Sequence, residues 1–240
     1  MKKLLIPVFA LLLSLALVPS ALAAGDSAVS GETRTIGYCG YIDTEGGLWL
    51  WGENYVGQAG QDMRIQRVKT PTKVMDHVVS FCRNDLATTV LKDDGSVWTF
   101  GGDFAHGAYT ETYSGGMRSS LSFPGWEPVK LLDGCTAVSV GSCYPQFGAL
   151  KADGSLYVWG DTFGGGIGIT SETPGVDPGY FSSSSGEVIK PYKLLDSVKS
   201  FALGGYNGMA IKTDGSVWYW GLTCTRGQIV TFLYRACANP

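Results

Sequence analysis

The sequence predicts an all-β fold, a β-propeller-like array of about four antiparallel four-stranded blades, closed or open, with a short C-terminal helix. Three observations predict it. A short segment recurs four times without gaps, each copy contains an acidic-glycine turn, and each turn leads into a strand rich in aromatic residues. Recurrence at the size of a blade is the sequence signature of propellers and other repeat folds.

The repeated segment starts with an apolar residue, turns at glycine and ends at Trp-Gly or Phe-Gly. Its copies span 42–52, 91–101, 150–160 and 211–221. The turn glycines are Gly46, Gly95, Gly154 and Gly215. Glycine and a preceding Asp or Glu tolerate positive φ, so each copy is predicted to be a β-hairpin.

The strand after each turn carries large apolar residues on both of its faces. Aromatic residues follow the glycine by three and by five positions, which places both on one face. They are Trp49, Trp98, Tyr157 and Trp218, then Trp51, Phe100, Trp159 and Trp220. The opposite face holds Leu48, Val97, Leu156 and Val217. Such a strand is predicted to be sandwiched between neighbouring layers, as stacked blades require.

Further segments recur in step ahead of the hairpins. Strand-like stretches begin at Ser80, Ser139 and Ser200, and before them lie Pro71-Thr-Lys-Val, Glu127-Pro-Val-Lys-Leu-Leu-Asp and Lys190-Pro-Tyr-Lys-Leu-Leu-Asp. With the Asp-Gly-x-Val/Leu-aromatic-x-Trp-Gly core, the arrangement over residues 33–221 resembles the regulator-of-chromosome-condensation (RCC1-like) repeat family. The Asn-x-x-Gly-Gln-Leu-Gly follow-on of that family is well matched only at Asn54–Gly60.

The resemblance implies four-stranded antiparallel blades stacked around a channel. The family usually closes with about seven blades, whereas this chain shows four copies of the core. A tightly closed ring, an open arc and self-association through unmatched blade edges all fit the sequence, because each blade buries its faces only against neighbours.

Residues 1–23 are predicted to be a secretory signal peptide. Lys2 and Lys3 precede an apolar run from Leu4 to Val18, and Ala21 and Ala23 provide the small residues of a cleavage site. A retained membrane anchor is the alternative. We expect a secreted or cell-surface protein with no membrane span after cleavage.

Six cysteines would meet the oxidising environment that this export implies: Cys39, Cys82, Cys135, Cys143, Cys224 and Cys237. Their pairing cannot be read from sequence. Cys135 with Cys143 could close a local hairpin and Cys224 with Cys237 the tail; the alternative is that several are buried thiols.

The tail at 222–240 departs from the strand pattern. A capping box at Thr225 and Gln228 and apolar residues at helical spacing predict a short helix. The stretch resembles the end of an S-layer homology motif, which implies a bacterial source and places Thr225 and Arg226 near a cell-wall polymer. A helix that only packs on the last blade is the alternative.

Catalytic, cofactor and metal residues are not predicted. The chain contains no familiar catalytic motif, and His77 and His106 lack nearby ligand clusters in the sequence. Asp43, Asp93, Asp153 and Asp214 recur near the turns, which indicates a structural role. A net charge of −3 argues against nucleic acid as a partner.

Two long insertions, 103–126 and 161–187, provide the predicted partner-binding surface at the propeller rim. They are rich in Gly and Ser and present aromatic residues suited to protein contacts or sugar stacking. These residues are Tyr109, Tyr113, Phe123, Trp126, Phe163, Tyr180 and Phe181.

The leading interpretation is an exported, non-enzymatic scaffold that binds protein or cell-wall glycan. The alternatives are a wall-polysaccharide-acting propeller enzyme, which could use Asp103 or His106, and a truncated relative of a longer surface protein.

Overall fold

The computed structural model describes residues 2–4, 38–102, 112–114, 117–119, 126–142, 146–162, 165–169, 173–174, 178–182 and 186–221. Every regular element of this part of the chain is a β-strand, and the strands form four antiparallel sheets and one separate hairpin. The predicted all-β blade architecture is confirmed. The predicted helix at 222–240 lies outside the described residues.

The four sheets are the four blades, numbered in chain order. After β1 (Lys2–Leu4), blade 1 contains β2 (Tyr38–Ile42), β3 (Leu48–Glu53) and β4 (Arg67–Met75). Blade 2 contains β5 (Val78–Arg83), β6 (Ala87–Lys92) and β7 (Val97–Gly101), then β10 (Val129–Leu132) beyond a hairpin of β8 (Thr112–Ser114) and β9 (Met117–Ser119).

Blade 3 consists of β11 (Cys135–Val140), β12 (Gln146–Lys151), β13 (Leu156–Asp161), β14 (Pro178–Ser182) and β15 (Gly186–Leu195). Blade 4 consists of β16 (Val198–Leu203), β17 (Asn207–Lys212) and β18 (Val217–Gly221).

A complete blade is a meander in which each strand pairs with the next. Blade 2 shows the plan, with strand order β5-β6-β7-β10, and blade 3 adds β14 outside β15. In blade 4 the outer position beside β18 is held by β1, in register from Lys2 opposite Tyr219 to Leu4 opposite Val217. This strand comes from the segment predicted to be a leader.

The glycine turn, which joins β2 to β3, β6 to β7, β12 to β13 and β17 to β18, has the same glycine conformation in all four blades. Gly46, Gly95, Gly154 and Gly215 all have positive φ, between 77° and 83°. In blades 2 to 4 the residue before the glycine accepts from the amide of the following serine, as Asp94 does from Ser96 at 2.9 Å and Asp214 from Ser216 at 2.8 Å. The predicted hairpins are confirmed.

The acid that serves this turn in blade 2 is Asp94, not Asp93. Asp93 is one position too early to reach the turn amides and lies 3.1 Å from Nδ1 of His77 instead. In blade 1 the role moves further upstream, to Asp43, whose Oδ1 accepts from the amides of Glu45 and Gly47 at 2.9 and 2.7 Å. Its Oδ2 accepts from Nε1 of Trp49 at 2.7 Å.

Successive blades are joined at these turns by one repeated hydrogen bond. The carbonyl of the turn glycine accepts from the first amide of the next blade: Gly46 from Val78, Gly95 from Cys135 and Gly154 from Val198, at 2.8 to 2.9 Å. A single bond of this kind contributes about 1 kcal/mol. Its repetition fixes each hairpin against the start of the following blade.

The core consists of three apolar clusters, one at each junction between successive blades. The cluster between blades 1 and 2 joins Leu48 and Leu50 of β3 to Phe81, Val90 and Phe100. The other two clusters repeat three of these positions, with Val97 and Leu156 for Leu48, Ala149 and Ala210 for Val90, and Trp159 and Trp220 for Phe100. The aromatic residue five after the glycine therefore packs on the preceding blade, and the residue two after the glycine packs on the following blade.

We call these two sides of a blade its incoming face, which meets the preceding blade, and its outgoing face, which meets the following one. The third strand is apolar on both faces because it lies between two junctions. The prediction of a sandwiched strand is confirmed.

The structure leaves Cys82 and Cys135 as free thiols. Cys135 is buried in the junction between blades 2 and 3, where it packs as a small apolar residue. The suggested Cys135–Cys143 link is therefore not formed, and its buried-thiol alternative holds for Cys135. Cys143, Cys224 and Cys237 lie outside the described residues.

Candidate functional site

The antiparallel meander separates the connections of every blade onto two ends. One end, which we call the hairpin end, carries the glycine turns at 43–47, 92–96, 151–155 and 212–216. The other, the insertion end, carries the turns between first and second strands and the connections 54–66, 102–128 and 162–185. Both predicted insertions and the family-like follow-on therefore emerge at one end of the array.

The connection 54–66 of blade 1 is organised around the fully buried Asn54. Its Nδ2 donates to the carbonyls of Gln61, Asp62 and Ile65 at 2.8 to 3.1 Å, and its Oδ1 accepts from the amide of Ala59 at 2.9 Å. One amide side chain thus satisfies four backbone groups of a loop. This explains why an asparagine starts the follow-on segment.

The same connection is fastened to the next blade. Nε2 of the buried Gln58 donates to the carbonyl of Asp85 at 2.9 Å, and Oγ1 of Thr88 donates to the carbonyl of Gln58 at 2.7 Å. Arg83 reaches back from blade 2 to the carbonyls of Trp51 and Glu53 at 3.0 and 2.8 Å. The loop is therefore a fixed part of the junction between blades 1 and 2.

Blade 3 contains a second follow-on segment, at 162–168, which the sequence analysis missed. Gly165 and Gly168 have the positive φ of Gly57 and Gly60. The amide of Gly165 donates to Thr162 O and that of Gly168 to Gly165 O, both at 2.9 Å, as Gly57 and Gly60 donate to Asn54 and Gly57. The Gly-x-x-Gly spacing was the available signal.

In this second copy the fastening to the next blade runs through the backbone. Nε1 of Trp220 donates to the carbonyl of Gly166 at 2.8 Å. A Cβ at Gly166 would lie 2.2 Å from the amide of Gln146, so a glutamine like Gln58 does not fit there. Gln58 and Gly166 occupy equivalent positions in the two connections. The first bonds the next blade through its side chain, and the second through its backbone carbonyl.

Two large apolar side chains of the first connection face outward at the insertion end. Tyr55 is 45% exposed and Ile65 is 49% exposed, with the exposed Arg64 adjacent and paired with Asp62. Hydroxyl Oη of Tyr55 donates to the carbonyl of Asp85 at 3.1 Å, which orients the ring. An exposed aromatic residue on the same connection as an exposed aliphatic residue and an arginine gives the composition of protein-binding surfaces.

Sequence reasoning did not select Tyr55 and Ile65, because it looked for long insertions and this connection is short. Of the residues that were selected, Trp126 is half-buried and lies just before the first residue of β10. Tyr113 lies on β8 opposite Arg118 of β9, and Tyr180 and Phe181 lie on β14 opposite Val188 and Glu187 of β15. Tyr109, Phe123, Phe163, Thr225 and Arg226 lie outside the described residues.

The hairpin end carries charged side chains that repeat from blade to blade. Three i,i+3 ion pairs repeat along it: Lys73–Asp76, Lys130–Asp133 and Lys193–Asp196. Hydrogen bonds from Trp49 and from the amide of Gly47 lower the pKa of Asp43, and those from Ser96 lower the pKa of Asp94. Both carboxylates accept hydrogen bonds from their turns, as the structural role predicted for Asp43 requires; in blade 2 that role belongs to Asp94 and not to the predicted Asp93.

No group of three or more His, Cys, Asp and Glu side chains in the described ranges is placed to hold a metal ion. Asp103 and His106, the residues considered for catalysis, lie outside those ranges.

The chain was compared with known proteins. No family model matches it. It is similar to the RCC1 domain-containing protein RUG3, mitochondrial, of Arabidopsis thaliana, with 26% identity over 190 residues, which is 75% of this chain and 39% of that protein. The chain thus spans well under half the length of this relative.

Solved structures show the same fold. Prp20p from Saccharomyces cerevisiae, described with its binding to Gsp1p and histones, superimposes with a TM-score of 0.58 at 21% identity, over 77% of this chain and 43% of that chain. Human WBSCR16 gives 0.57 at 21% identity, over 77% and 45%. The RCC1-like resemblance is thereby supported and the propeller fold is confirmed.

Among the residues that the structure describes, no helix is long and apolar enough to cross a membrane.

Proposed function

We propose that this chain is an exported, non-enzymatic scaffold that binds a protein partner through its insertion end. The observation that carries the proposal is that the connection 54–66 and the strands that bound 102–128 and 162–185 all reach one end of the array. Binding residues are commonly held on loops that a rigid scaffold positions.

The geometry of the first connection supports a protein partner. Tyr55 and Ile65 are exposed although the loop beneath them is fixed by Asn54 and Gln58. Such a surface is already ordered before binding, so association costs little conformational entropy. The comparison agrees, since Prp20p is described with its binding to Gsp1p and histones, and a yeast RCC1 (Prp20) structure contains bound Kap60.

The binding test compares variants of the two ends. Partners captured from the culture medium and cell surface of the source organism are identified by mass spectrometry, purified, and titrated by calorimetry. Tyr55→Ala with Ile65→Ala, and deletions of 109–126 or 163–181, are expected to weaken binding at least about tenfold. Glu45→Gln with Asp133→Asn, exposed substitutions at the hairpin end, serve as the matched control.

Equal binding by all insertion-end variants would refute the assignment of the surface. Binding to purified wall polysaccharide alone, lost with the same variants, would replace the protein partner by a glycan. Turnover of that polysaccharide, lost on changing Asp103 or His106, would replace the scaffold by an enzyme.

Export is part of the same proposal and rests on the basic start, apolar run and small residues of 1–23. Expression with and without residues 1–23, followed by recovery from medium, cells and wall fractions, tests it. Protein expressed from the full-length sequence is expected outside the cell with Ala24 as its first residue, so that β1 no longer pairs with β18 in the exported form. Wall retention that is lost on changing Arg226→Ala would assign Thr225 and Arg226 to a wall polymer.

A further inference from the structure

Blade 3 carries an added strand on its outer edge. β14 pairs with the start of β15 beyond the meander, with Tyr180 opposite Val188 and Pro178 opposite Ile189. This strand comes from the connection 162–185 of the same blade, at the insertion end. The outer edge of a blade in this chain therefore accepts a further antiparallel strand at that end.

The equivalent edge of blade 1 is the start of β4. Arg67 and Val68 hold the register positions of Val188 and Ile189, because each pair lies opposite the last two residues of β3 or β13. Among the described residues, β4 is the outermost strand of its blade. The connection 54–66 is described throughout and contains no strand, so it does not supply an added strand as its counterpart in blade 3 does.

Arg67 presents its backbone to this edge. The carbonyl of Gln66 points to β3, because it accepts from the amide of Asn54 at 2.8 Å. Successive residues of an antiparallel strand direct their amide and carbonyl groups to opposite sides, so those of Arg67 point away from β3. Within the described part of the chain, no strand pairs with them. Such an edge is a template for a further strand.

Pro71 limits the length of edge that a further strand can use, because proline has no amide to donate. Pro71 and Pro191 stand directly before Thr72 and Tyr192, which occupy equivalent register positions. In blade 3, β14 pairs with residues 186–189, the stretch before Pro191. The proline therefore shortens the site and does not close it.

The start of β4 is firmly held and carries basic side chains. Val68 is buried in the outgoing face of blade 1, in the cluster shared with blade 2. The side chain of Arg67 is 59% exposed and lies 3.5 Å from Glu53. Lys69 is exposed, and none of the described acidic side chains pairs with it. An added strand would therefore meet a preformed edge with a positive charge beside it.

We propose that the start of β4, residues 67–69, binds an extended acidic segment of a partner protein as an added strand of blade 1. Main-chain hydrogen bonds supply affinity in this binding mode, and alternate side chains supply specificity. An acidic residue opposite Arg67 gains an opposite-charge cross-strand pair, whereas a second copy of β4 would bring like charges together. The inference deepens the proposed function and rests on it, since Arg67 follows the exposed Ile65 at the insertion end.

The test uses a fluorescent peptide in place of the partner. The peptide has the sequence of residues 176–184, which contains β14, with Tyr180→Glu, so that an acid lies opposite Arg67 in the register of blade 3. It is titrated with the full chain up to about 1 mM, the weak end of specific binding, and followed by fluorescence anisotropy. We expect saturable binding. The same peptide N-methylated at residue 180 should bind at least about tenfold more weakly, because it lacks the donor that faces Arg67.

Chain variants separate the backbone of Arg67 from its side chain. Arg67→Pro removes the outward amide and no bond to β3, so the blade keeps its fold and the peptide should bind at least about tenfold more weakly. Arg67→Ala, the matched control, keeps the amide and should lose at most about fivefold. Arg67→Glu should reverse the preference and favour the peptide with Tyr180→Lys. Circular dichroism verifies folding, and if Arg67→Pro does not fold, the methylated peptide and the charge reversal decide.

Three results would overturn the added strand. They are absence of peptide binding to the wild-type chain, equal binding by Arg67→Pro and Arg67→Ala, and peptide binding only after deletion of 109–126, which would give the edge to that insertion. A wild-type dimer that is lost with Arg67→Pro would give the edge to a second copy and overturn it as well. The proposed function is judged separately: a partner that binds Arg67→Pro like wild type, but not Tyr55→Ala with Ile65→Ala, keeps the insertion-end surface and removes the added strand.

Discussion

Trp218 and Trp220 lie two residues apart on one strand and show how surroundings decide the role of a side chain. Trp220 is 3% exposed and donates to a backbone carbonyl of the preceding blade. Trp218 is half-buried, donates to Oγ of Ser216 at 3.1 Å, and has Nζ of Lys212 above its ring at 5.4 Å. Both side chains pack against the cluster between blades 3 and 4, but the hydrogen bond of Trp220 crosses to the preceding blade and that of Trp218 stays within its own hairpin.

Trp220→Phe is therefore expected to lower the free energy of unfolding by about 2 kcal/mol, because it leaves the Gly166 carbonyl unpaired and a small void beside it. Trp218→Phe, the matched control, should cost less than about 1 kcal/mol because its partner is near solvent. Urea unfolding followed by circular dichroism measures both. Equal losses would contradict the different roles.

The free thiols are predicted to be unreactive in the folded chain. Desolvation raises the pKa of the half-buried Cys82 to about 12 and that of the buried Cys135 to about 11, so little thiolate exists at pH 8. Iodoacetamide labelling, mapped by peptide mass spectrometry, should reach both residues only in denaturant. Rapid labelling of either thiol in the folded chain would show that its burial is wrong.

Asp43 is predicted to contribute to stability in a pH-dependent way. Its pKa is lowered from 3.8 by the hydrogen bonds of Trp49 and Gly47. Because the pKa of Asp43 is lower in the folded chain than in the unfolded chain, its contribution to stability is complete at pH values above the unfolded-state pKa. This contribution is lost as the pH falls through the folded-state pKa. Asp43→Asn should therefore have a lower melting temperature than wild type at pH 7, with the gap closing toward pH 3. A gap that is constant with pH would contradict this.

At the scale of elements, two connections at the insertion end, 54–66 and the described start of 162–185, each form a clasp, by which we mean hydrogen bonds that fasten the connection to the next blade. In blade 1 the clasp uses the side chains of Asn54 and Gln58, and in blade 3 it uses the backbone at Gly166 and the indole of Trp220. Both satisfy buried backbone groups that a loop would otherwise leave unpaired.

Asn54→Ala is expected to remove about 2 to 4 kcal/mol of stability, because three carbonyls and one amide lose a buried partner. Gln66→Ala is the matched control on the same loop, since its backbone bond to the Asn54 amide remains. Chemical unfolding measures the loss, and limited proteolysis should cut within 55–65 first. Unchanged stability of Asn54→Ala would mean that water replaces the side chain.

The sequence was sufficient to predict the hairpins, the blade order and the sandwiched third strand, because the turn glycines and the paired aromatic positions repeat without gaps. It was insufficient for the second clasp, where Thr162 and Gly166 replace the recognisable Asn and Gln and the role passes to the backbone. The exposure of Tyr55 and Ile65 could not be predicted either, since it depends on which side of a folded loop they occupy.

At the scale of the whole molecule, each core cluster joins only successive blades. Blades 2 and 3 are therefore supported on two faces, whereas blade 4 is supported on one among the described residues. Stability in such arrays is approximately a sum of repeat and nearest-neighbour contributions. We infer that the last blade opens more easily than the middle ones.

Hydrogen exchange of the wild-type chain tests this order. Amides of β6 and β12 are expected to exchange most slowly, and those of β17 more quickly, because a strand supported on one side opens with less loss of buried area. Uniform protection across the four blades would show that the array opens as one unit.

The repeated bond from each turn glycine to the next blade also bears on how such chains lengthen and shorten over evolution. Every junction uses the same acceptor and the same pair of apolar faces, so a duplicated blade would find both of its contacts already present. Gain or deletion of one repeat changes the length of the array and leaves the remaining junctions as they were. Blade number is thus a trait that recombination can alter in whole steps without new packing solutions.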